Sequence, residues 1–520
     1  MLATLDERAE EGSLLMEESE LVDQRSRRHA GLHRAVCRLG LPAALGLGTA
    51  FGLLCAARRG FLQASTPVGM TKSDHASSPE RLFDNTDELL RSMAPTARLS
   101  APPMPPGLQT KLGECPAAKV DAQPDPIFGV SQPSEGCTAM SGLCEKVDKP
   151  VMESIEVYDA QLGLNVVRHY AILVPESACN HSPGQSAPLM FWLHGQTGDA
   201  IGEADGWAAS SGYRSCSYAH GWISVYPMGL GLADDAQALG VELPSKRANE
   251  SNLDEDTGND DPPVIDLGTG WNVGSGGDSN TCLTKDDKAR GAFRFVKPTE
   301  YSCYPSCQAK GECGRCNWST CMDDVAFIKT LLKHLQKKYC IDRSRIYLGG
   351  QSNGGMLTHH LSQVMPGVFA SLNPIYALPL LGYAAGKHGE IFRHQDLNKE
   401  TAIIAFHDRG DITIPLHGGP APAEGWSWYY TPLEEMMSIW ASVHGCDEKS
   451  SDATEMIKSA CPTVAPTVSC REHLNCGSGR RVLYCVYDGV HGTVPRNEFF
   501  GCVSVWFSSQ FRRTSLVSDL

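Results

Sequence analysis

The chain is short of positive charge. Its 520 residues carry 45 Lys and Arg against 60 Asp and Glu, a formal net charge of −15. A nucleic-acid binder needs a basic face, so this balance argues against one. No internal repeat stands out. Apolar residues make up 42% and charged residues 20%, enough to build a sizeable core and too apolar for disorder throughout. At roughly 150 residues per domain the length allows about three domains, or one large α/β domain with appendages.

Cysteine is not scarce. Twenty Cys are too many for a reducing cytosol and read as an oxidised, lumenal or extracellular protein. Residues 39–57 form a charge-free apolar run of about 19 residues, long enough to span a bilayer. Arg25, Arg27, Arg28, Arg34 and Arg38 precede it, and only Arg58 and Arg59 follow closely. The positive-inside rule then expects a type II single-pass anchor, with the N-terminus cytosolic and the rest lumenal or extracellular. A cleaved signal peptide, giving a secreted protein, and a buried soluble helix are the other readings. Asn180, Asn249 and Asn317 stand in glycosylation sequons.

The expected organisation is a cytosolic tail over 1–38, the anchor over 39–57, a Pro/Ser-rich stalk over 58–145 and a catalytic domain over 146–515. The tail holds Glu10-Glu11-Gly12-Ser13-Leu14-Leu15, which resembles an acidic dileucine sorting signal or is a chance match. From about 150 the patterning predicts strands over 154–158, 166–174, 189–193, 222–226, 345–348, 402–406 and 481–487. It predicts helices over 323–337, 354–365, 432–443 and 497–511. Such alternation argues for a largely parallel sheet covered on both faces. An acidic, loop-like insert over 229–266 interrupts it. A second insert over 303–321 holds Cys303, Cys307, Cys313, Cys316 and Cys321, read as a disulfide knot rather than zinc ligands.

The motif Gly350-Gln351-Ser352-Asn353-Gly354-Gly355 lies between a predicted strand and a predicted helix. That is the setting of a nucleophile elbow, in which a strained turn projects the serine hydroxyl from the sheet edge. A serine needs a base to take its proton, and the base needs a carboxylate to orient it. In this chain order the acid follows the serine. Asp411 is favoured and Asp408 is the alternative, both at the mouth of the strand over 402–406. His491, in a Gly-flanked loop before the last helix, is the expected base among 17 His; His407 has a competing claim but precedes the acid. The oxyanion needs two backbone N–H groups. Asn353 supplies one, and Gln196 or Thr197, in the turn His194-Gly195-Gln196-Thr197-Gly198, the other. His194 is expected to organise that turn. The adjacent carboxylates Asp323 and Asp324 suit a helix start better than a metal. The aromatics of Gly425-Trp426-Ser427-Trp428-Tyr429-Tyr430 could stack on a sugar or phenolic ring, or pack in the core.

The stretch from about 164 to 500 resembles the α/β-hydrolase family of poly(3-hydroxybutyrate) depolymerases and feruloyl or acetylxylan esterases. The resemblance runs through Pro188 to Gly195, Tyr226-Pro227, Trp271-Asn272-Val273-Gly274 and Asp323-Asp324-Val325-Ala326-Phe327-Ile328. It continues through Ile341 to Tyr347, the elbow, and Phe406-His407-Asp408-Arg409-Gly410-Asp411. It implies an α/β-hydrolase fold, Ser352 as nucleophile, Asp411 as acid, His491 as base, and no cofactor or metal. Trp271, Trp426 and Trp428 are expected to contact substrate. Where the family usually has Gly after the acid-block histidine, Asp408 stands here. Where it often has Trp-Pro after the base, the chain reads Gly492-Thr493-Val494-Pro495. The expected activity is hydrolysis of feruloyl or acetyl esters on polysaccharides, or of polyhydroxybutyrate-type esters. A serine peptidase and a catalytically silent surface protein on the same scaffold are the alternatives.

Overall fold

A computed structural model of the chain describes residues 131–139, 147–179, 186–243, 268–273, 304–311, 319–379, 399–420, 429–462, 467–493 and 499–513. The tail, the apolar run over 39–57, the three sequons, Trp426 and Trp428, and Cys303, Cys313 and Cys316 lie outside these residues. Among the described residues no helix is long and apolar enough to cross a membrane.

The strands are β1 (Val147–Asp159), β2 (Leu164–Val174), β3 (Ala187–Leu193), β4 (Ile223–Pro227), β5 (Ile341–Gln351), β6 (Ser371–Ile375) and β7 (Ala402–Asp408). They continue with β8 (Gly419–Pro420), β9 (Tyr429–Tyr430), β10 (Ser450–Asp452), β11 (Ser469–His473) and β12 (Val482–Tyr487). All but β8 and β9 form one sheet in the order β1-β2-β4-β3-β5-β6-β7-β12-β11-β10. From β4 through β12 every neighbouring pair is parallel; β1, β2, β10 and β11 pair antiparallel at the two ends. This strand order, with its crossover at β3 and β4, is an α/β-hydrolase fold.

Why the centre of the sheet is parallel can be read in β3, whose seven residues are all buried. Successive side chains leave opposite faces of a strand, so an uninterrupted apolar run requires cover on both. Leu189, Phe191 and Leu193 join one core with α3 (Asp324–Lys338), α4 (Ser352–Val364) and α5 (Leu433–His444). Met190 and Trp192 join the other, with α1 (Tyr213–Ala219), α6 (Thr454–Ala460) and α7 (Phe499–Ser509). Asp323 caps α3 by accepting from the Ala326 N–H at 2.8 Å. Asp324 does something else: it is buried in an ion pair with Arg168 at 2.6 Å and also accepts from the Asn272 N–H at 2.7 Å.

The structure departs from the expectations in several places. Residues 131–137, read as stalk, belong to the folded domain: Ser134 donates to Ile341 O at 2.8 Å and Cys137 is disulfide-bonded to Cys340. The acidic insert contains a helix, α2 (Leu232–Leu239). Strand β6 was not expected, because Pro374 sits inside it. A run of short helical turns between Ala200 and Ala219 was also missed, since Gly202, Gly206 and Gly212 break its periodicity.

The cysteines of the described residues are oxidised. Cys307–Cys321, Cys446–Cys476, Cys461–Cys502 and Cys470–Cys485 are paired beside Cys137–Cys340. Cys179 and Cys216 are disulfide-bonded too. Cys307–Cys321 lies in the Cys-rich insert, where a disulfide knot was expected.

Candidate active site

The carboxyl ends of β3, β5, β7 and β12 meet at one edge of the sheet, and each is followed by a residue of the expected site. The turn after β5 is set by steric exclusion. Ser352 has φ +50°, left-handed backbone that a non-glycine residue adopts only when its surroundings impose it. A Cβ on Gly354 would lie 2.3 Å from His194 O and 2.5 Å from Leu193 O. On Gly350 it would lie 2.7 Å from the Gly354 carbonyl. Backbone cannot yield to either, so both flanking glycines are required.

Ser352 Oγ is 2.9 Å from His491 Nε2, and His491 Nδ1 is 2.7 Å from Asp411 Oδ2. The other oxygen of Asp411 accepts from the N–H groups of Thr413 and Ile414, each at 2.8 Å. An N–H on Nδ1 donating to the carboxylate leaves Nε2 with its lone pair facing the serine hydroxyl. The three side chains come from residues 139 and 80 positions apart and are aligned as a relay.

Asp408, the alternative acid, is fully buried, and neither of its oxygens has a hydrogen-bond partner. Burial, then the nearby charge of Asp411, pushes its carboxyl up to about 7. His407 donates from Nε2 to Ile414 O at 2.8 Å and lies 3.6 Å from Asp411. Burial lowers its pKa to about 4, so at neutral pH it is uncharged and holds the acid loop.

The turn after β3 lies against the serine: a Cβ on Gly195 would sit 3.3 Å from Ser352 Cβ. His194 organises this turn. Its Nδ1 donates to Gly195 O at 2.7 Å, and its Nε2 accepts from the Gly229 N–H at 2.8 Å. Burial lowers it to about 4, which keeps the ring neutral and allows the acceptor role. One expectation is corrected here. The Thr197 N–H donates to Thr269 O at 2.7 Å and is committed within the loop, which leaves Gln196 as the candidate second oxyanion donor.

A second correction concerns Trp271. It is fully buried, not presented to substrate. Its backbone N–H donates to Asn353 Oδ1 at 2.6 Å, its carbonyl accepts from Asn353 Nδ2 at 3.2 Å, and its indole donates to His194 O at 2.8 Å. Trp271 therefore ties the elbow to the β3 turn.

No family model matches the chain. It is similar to feruloyl esterase B of Piromyces equi, with 24% identity over 171 residues, 32% of this chain. The match spans 28% of that protein, under a third of its length. Among solved structures, an acetyl xylan esterase from Aspergillus awamori is 15% identical and aligns over 68% of this chain and 99% of its own, with a TM-score of 0.35. A thermostable esterase is 14% identical over 69% of this chain and 60% of its own, with a TM-score of 0.30.

Sequence reasoning missed two features of the site. Tyr376, which follows β6, places its ring edge-on to the His491 imidazole, 5.0 Å between centroids at 67°. No signal pointed to it while β6 itself was unrecognised. Ile412 and Val490, next in sequence to the acid and the base, are large apolar residues 71% and 60% exposed. Large apolar residues next to an expected acid and base were a usable signal.

Proposed function

We propose that this chain is a serine carboxylic-ester hydrolase in which Ser352 is the nucleophile, His491 the base and Asp411 the orienting acid. The observation that carries the reading is the aligned relay from Ser352 Oγ through His491 to Asp411, 2.9 and 2.7 Å. Ser352 Oγ attacks the ester carbonyl as His491 Nε2 takes its proton. The Asn353 and Gln196 N–H groups stabilise the tetrahedral oxyanion. The carbon–alkoxy bond then breaks, and the alcohol leaves with the proton held by His491. Water, deprotonated by the same nitrogen, attacks the acyl-enzyme, releases the acid and returns the proton to Ser352. Asp411 holds one tautomer and stabilises the imidazolium formed in each half-reaction.

We infer a substrate from feruloyl or acetyl esters of polysaccharides, or from polyhydroxybutyrate-type esters. The similarity to feruloyl esterase B supports the first class. We also infer a lumenal or extracellular catalytic domain behind a single apolar anchor over 39–57. The disulfides of the described residues support an oxidising compartment. The test is hydrolysis of methyl ferulate, acetylated xylan oligomers and 3-hydroxybutyrate oligomers by the folded chain, with Ser352→Ala beside it. A rate on one class that the variant abolishes is expected. No rate on any class from folded protein overturns the esterase reading.

A further inference from the structure

A chain of buried hydrogen bonds runs beneath the site and the relay does not use it. Glu203, 4% exposed, opens a π-helical turn (Glu203–Trp207), an uncommon element often found at functional sites. One of its oxygens accepts from the Trp192 indole N–H and the other from Gln351 Nε2, both at 2.6 Å. Gln351 Oε1 accepts from the Tyr376 hydroxyl. Gly349 makes room for the start of this chain, since a Cβ there would fall 2.4 Å from the Trp192 ring. Gln351 immediately precedes Ser352. Tyr376, 1% exposed and held at φ +32°, lies edge-on to His491.

We propose that Tyr376, anchored through Gln351 to Glu203, is a positioning residue that fixes the plane of the His491 imidazole between Ser352 and Asp411. Three facts converge on this. Hydrogen bonds run unbroken from the Tyr376 hydroxyl through the Gln351 amide to the Glu203 carboxyl, so the tyrosine is anchored at its far end. A buried carboxyl is costly, and burial pushes Glu203 up to about 8, yet no salt bridge to it occurs among the described residues. Tyr376 also occupies left-handed backbone, strain of the kind that collects where a side chain must be aimed. A wobbling imidazole loses alignment with the serine hydroxyl and with the leaving group, which costs rate and not binding. The role rests on the esterase reading for its kinetic form but not for its geometric one.

The experiment compares Tyr376→Phe with Tyr347→Phe in the full chain. Tyr347 is a control: it lies on β5 of the same sheet, equally buried, and its hydroxyl donates to Phe511 O at 3.2 Å, away from the relay. Tyr376→Phe is expected to lower kcat about tenfold on the preferred ester with KM unchanged, the size of one lost anchoring hydrogen bond. Tyr347→Phe is expected to lose comparable thermal stability with kcat unchanged. The downfield NMR proton of the His491–Asp411 bond is read in parallel and is expected to shift or broaden only in Tyr376→Phe. Glu203→Gln, which replaces the carboxyl that anchors Gln351, is expected to show the same signature. The proposal is overturned if Tyr376→Phe keeps wild-type kcat and an unchanged downfield proton, or if both tyrosine variants lose kcat alike. If no ester is hydrolysed even by the wild type, the NMR proton alone decides. Movement in Tyr376→Phe alone then supports positioning although the esterase reading has failed.

Discussion

The turn after β5 and the loop after β7 lie two strands apart on the same sheet edge, yet different physics specifies each. After β5 the serine is placed by exclusion. Gly350 and Gly354 leave no volume for a side chain, and Ser352 between them takes left-handed backbone. After β7 two carboxylates three residues apart compete, and hydrogen bonds sort them. Asp411 receives the N–H groups of Thr413 and Ile414 and faces His491, whereas Asp408 is buried with neither oxygen bonded. A motif fixed by sterics tolerates no substitution. One sorted by polar bonds should keep its fold and lose its chemistry.

The largest effect expected from that contrast is on rate. Asp411→Asn keeps the shape of the loop but offers an amide to His491 Nδ1 and destabilises the required tautomer. We expect kcat to fall by about 10⁴-fold, as loss of tautomer control does in serine triads, with the melting temperature little changed. A fall of less than tenfold, measured on the preferred ester, would show that Asp408 serves as the acid.

The next effect is on the fold. Gly354→Ala places a methyl 2.3 Å from one backbone carbonyl and 2.5 Å from another. Backbone displacement on this scale costs about 3 kcal/mol or more. Chemical denaturation should show that loss, together with loss of fluorophosphonate labelling at Ser352. A variant of native stability would mean that the elbow is looser than its contacts indicate.

Smaller again is the contribution of Asp408. A carboxyl whose pKa is raised from the ordinary 3.8 to about 7 binds its proton more tightly folded than unfolded. Its effect on stability is therefore favourable at low pH and is lost as pH rises from about 4 through 7. Asp408→Asn removes that dependence. We expect a gain on the order of 2 kcal/mol at pH 8 that vanishes by pH 4, with kcat little altered. Equal melting temperatures at pH 8 would mean that the carboxyl finds a partner in solution.

The same contrast decides what is legible in the sequence. The elbow was legible because glycine spacing leaves a mark in the sequence, and β3 because seven buried residues have no polar break. Asp411 and Asp408 stayed in competition because the two N–H groups that separate them belong to residues with no distinguishing side chain. Trp271 was misread, since an aromatic after a glycine-rich loop looks the same whether it meets substrate or locks Asn353 and His194. The Thr197 N–H could not be assigned, because its acceptor, Thr269, lies far along the chain. Strand β6 carries Pro374 and so hid both itself and Tyr376 behind it.

The smallest effect expected is that of His407, and it tests the division from the other side. Its ring touches the acid loop and would compete for Asp411 if it carried a charge. Burial lowers it to about 4, so at working pH it stays neutral and bonds Ile414 O instead. A glutamine at this position can keep that bond through its amide. His407→Gln should therefore cost about 1 kcal/mol of stability, roughly one imperfectly replaced hydrogen bond, and change kcat by less than about threefold. The pH–rate profile should not move, because His407 takes no part in the relay. A fall in kcat approaching that of Asp411→Asn would place His407 inside the relay. The loop after β7 would then be supplying a second imidazole to the chemistry as well as a carboxylate.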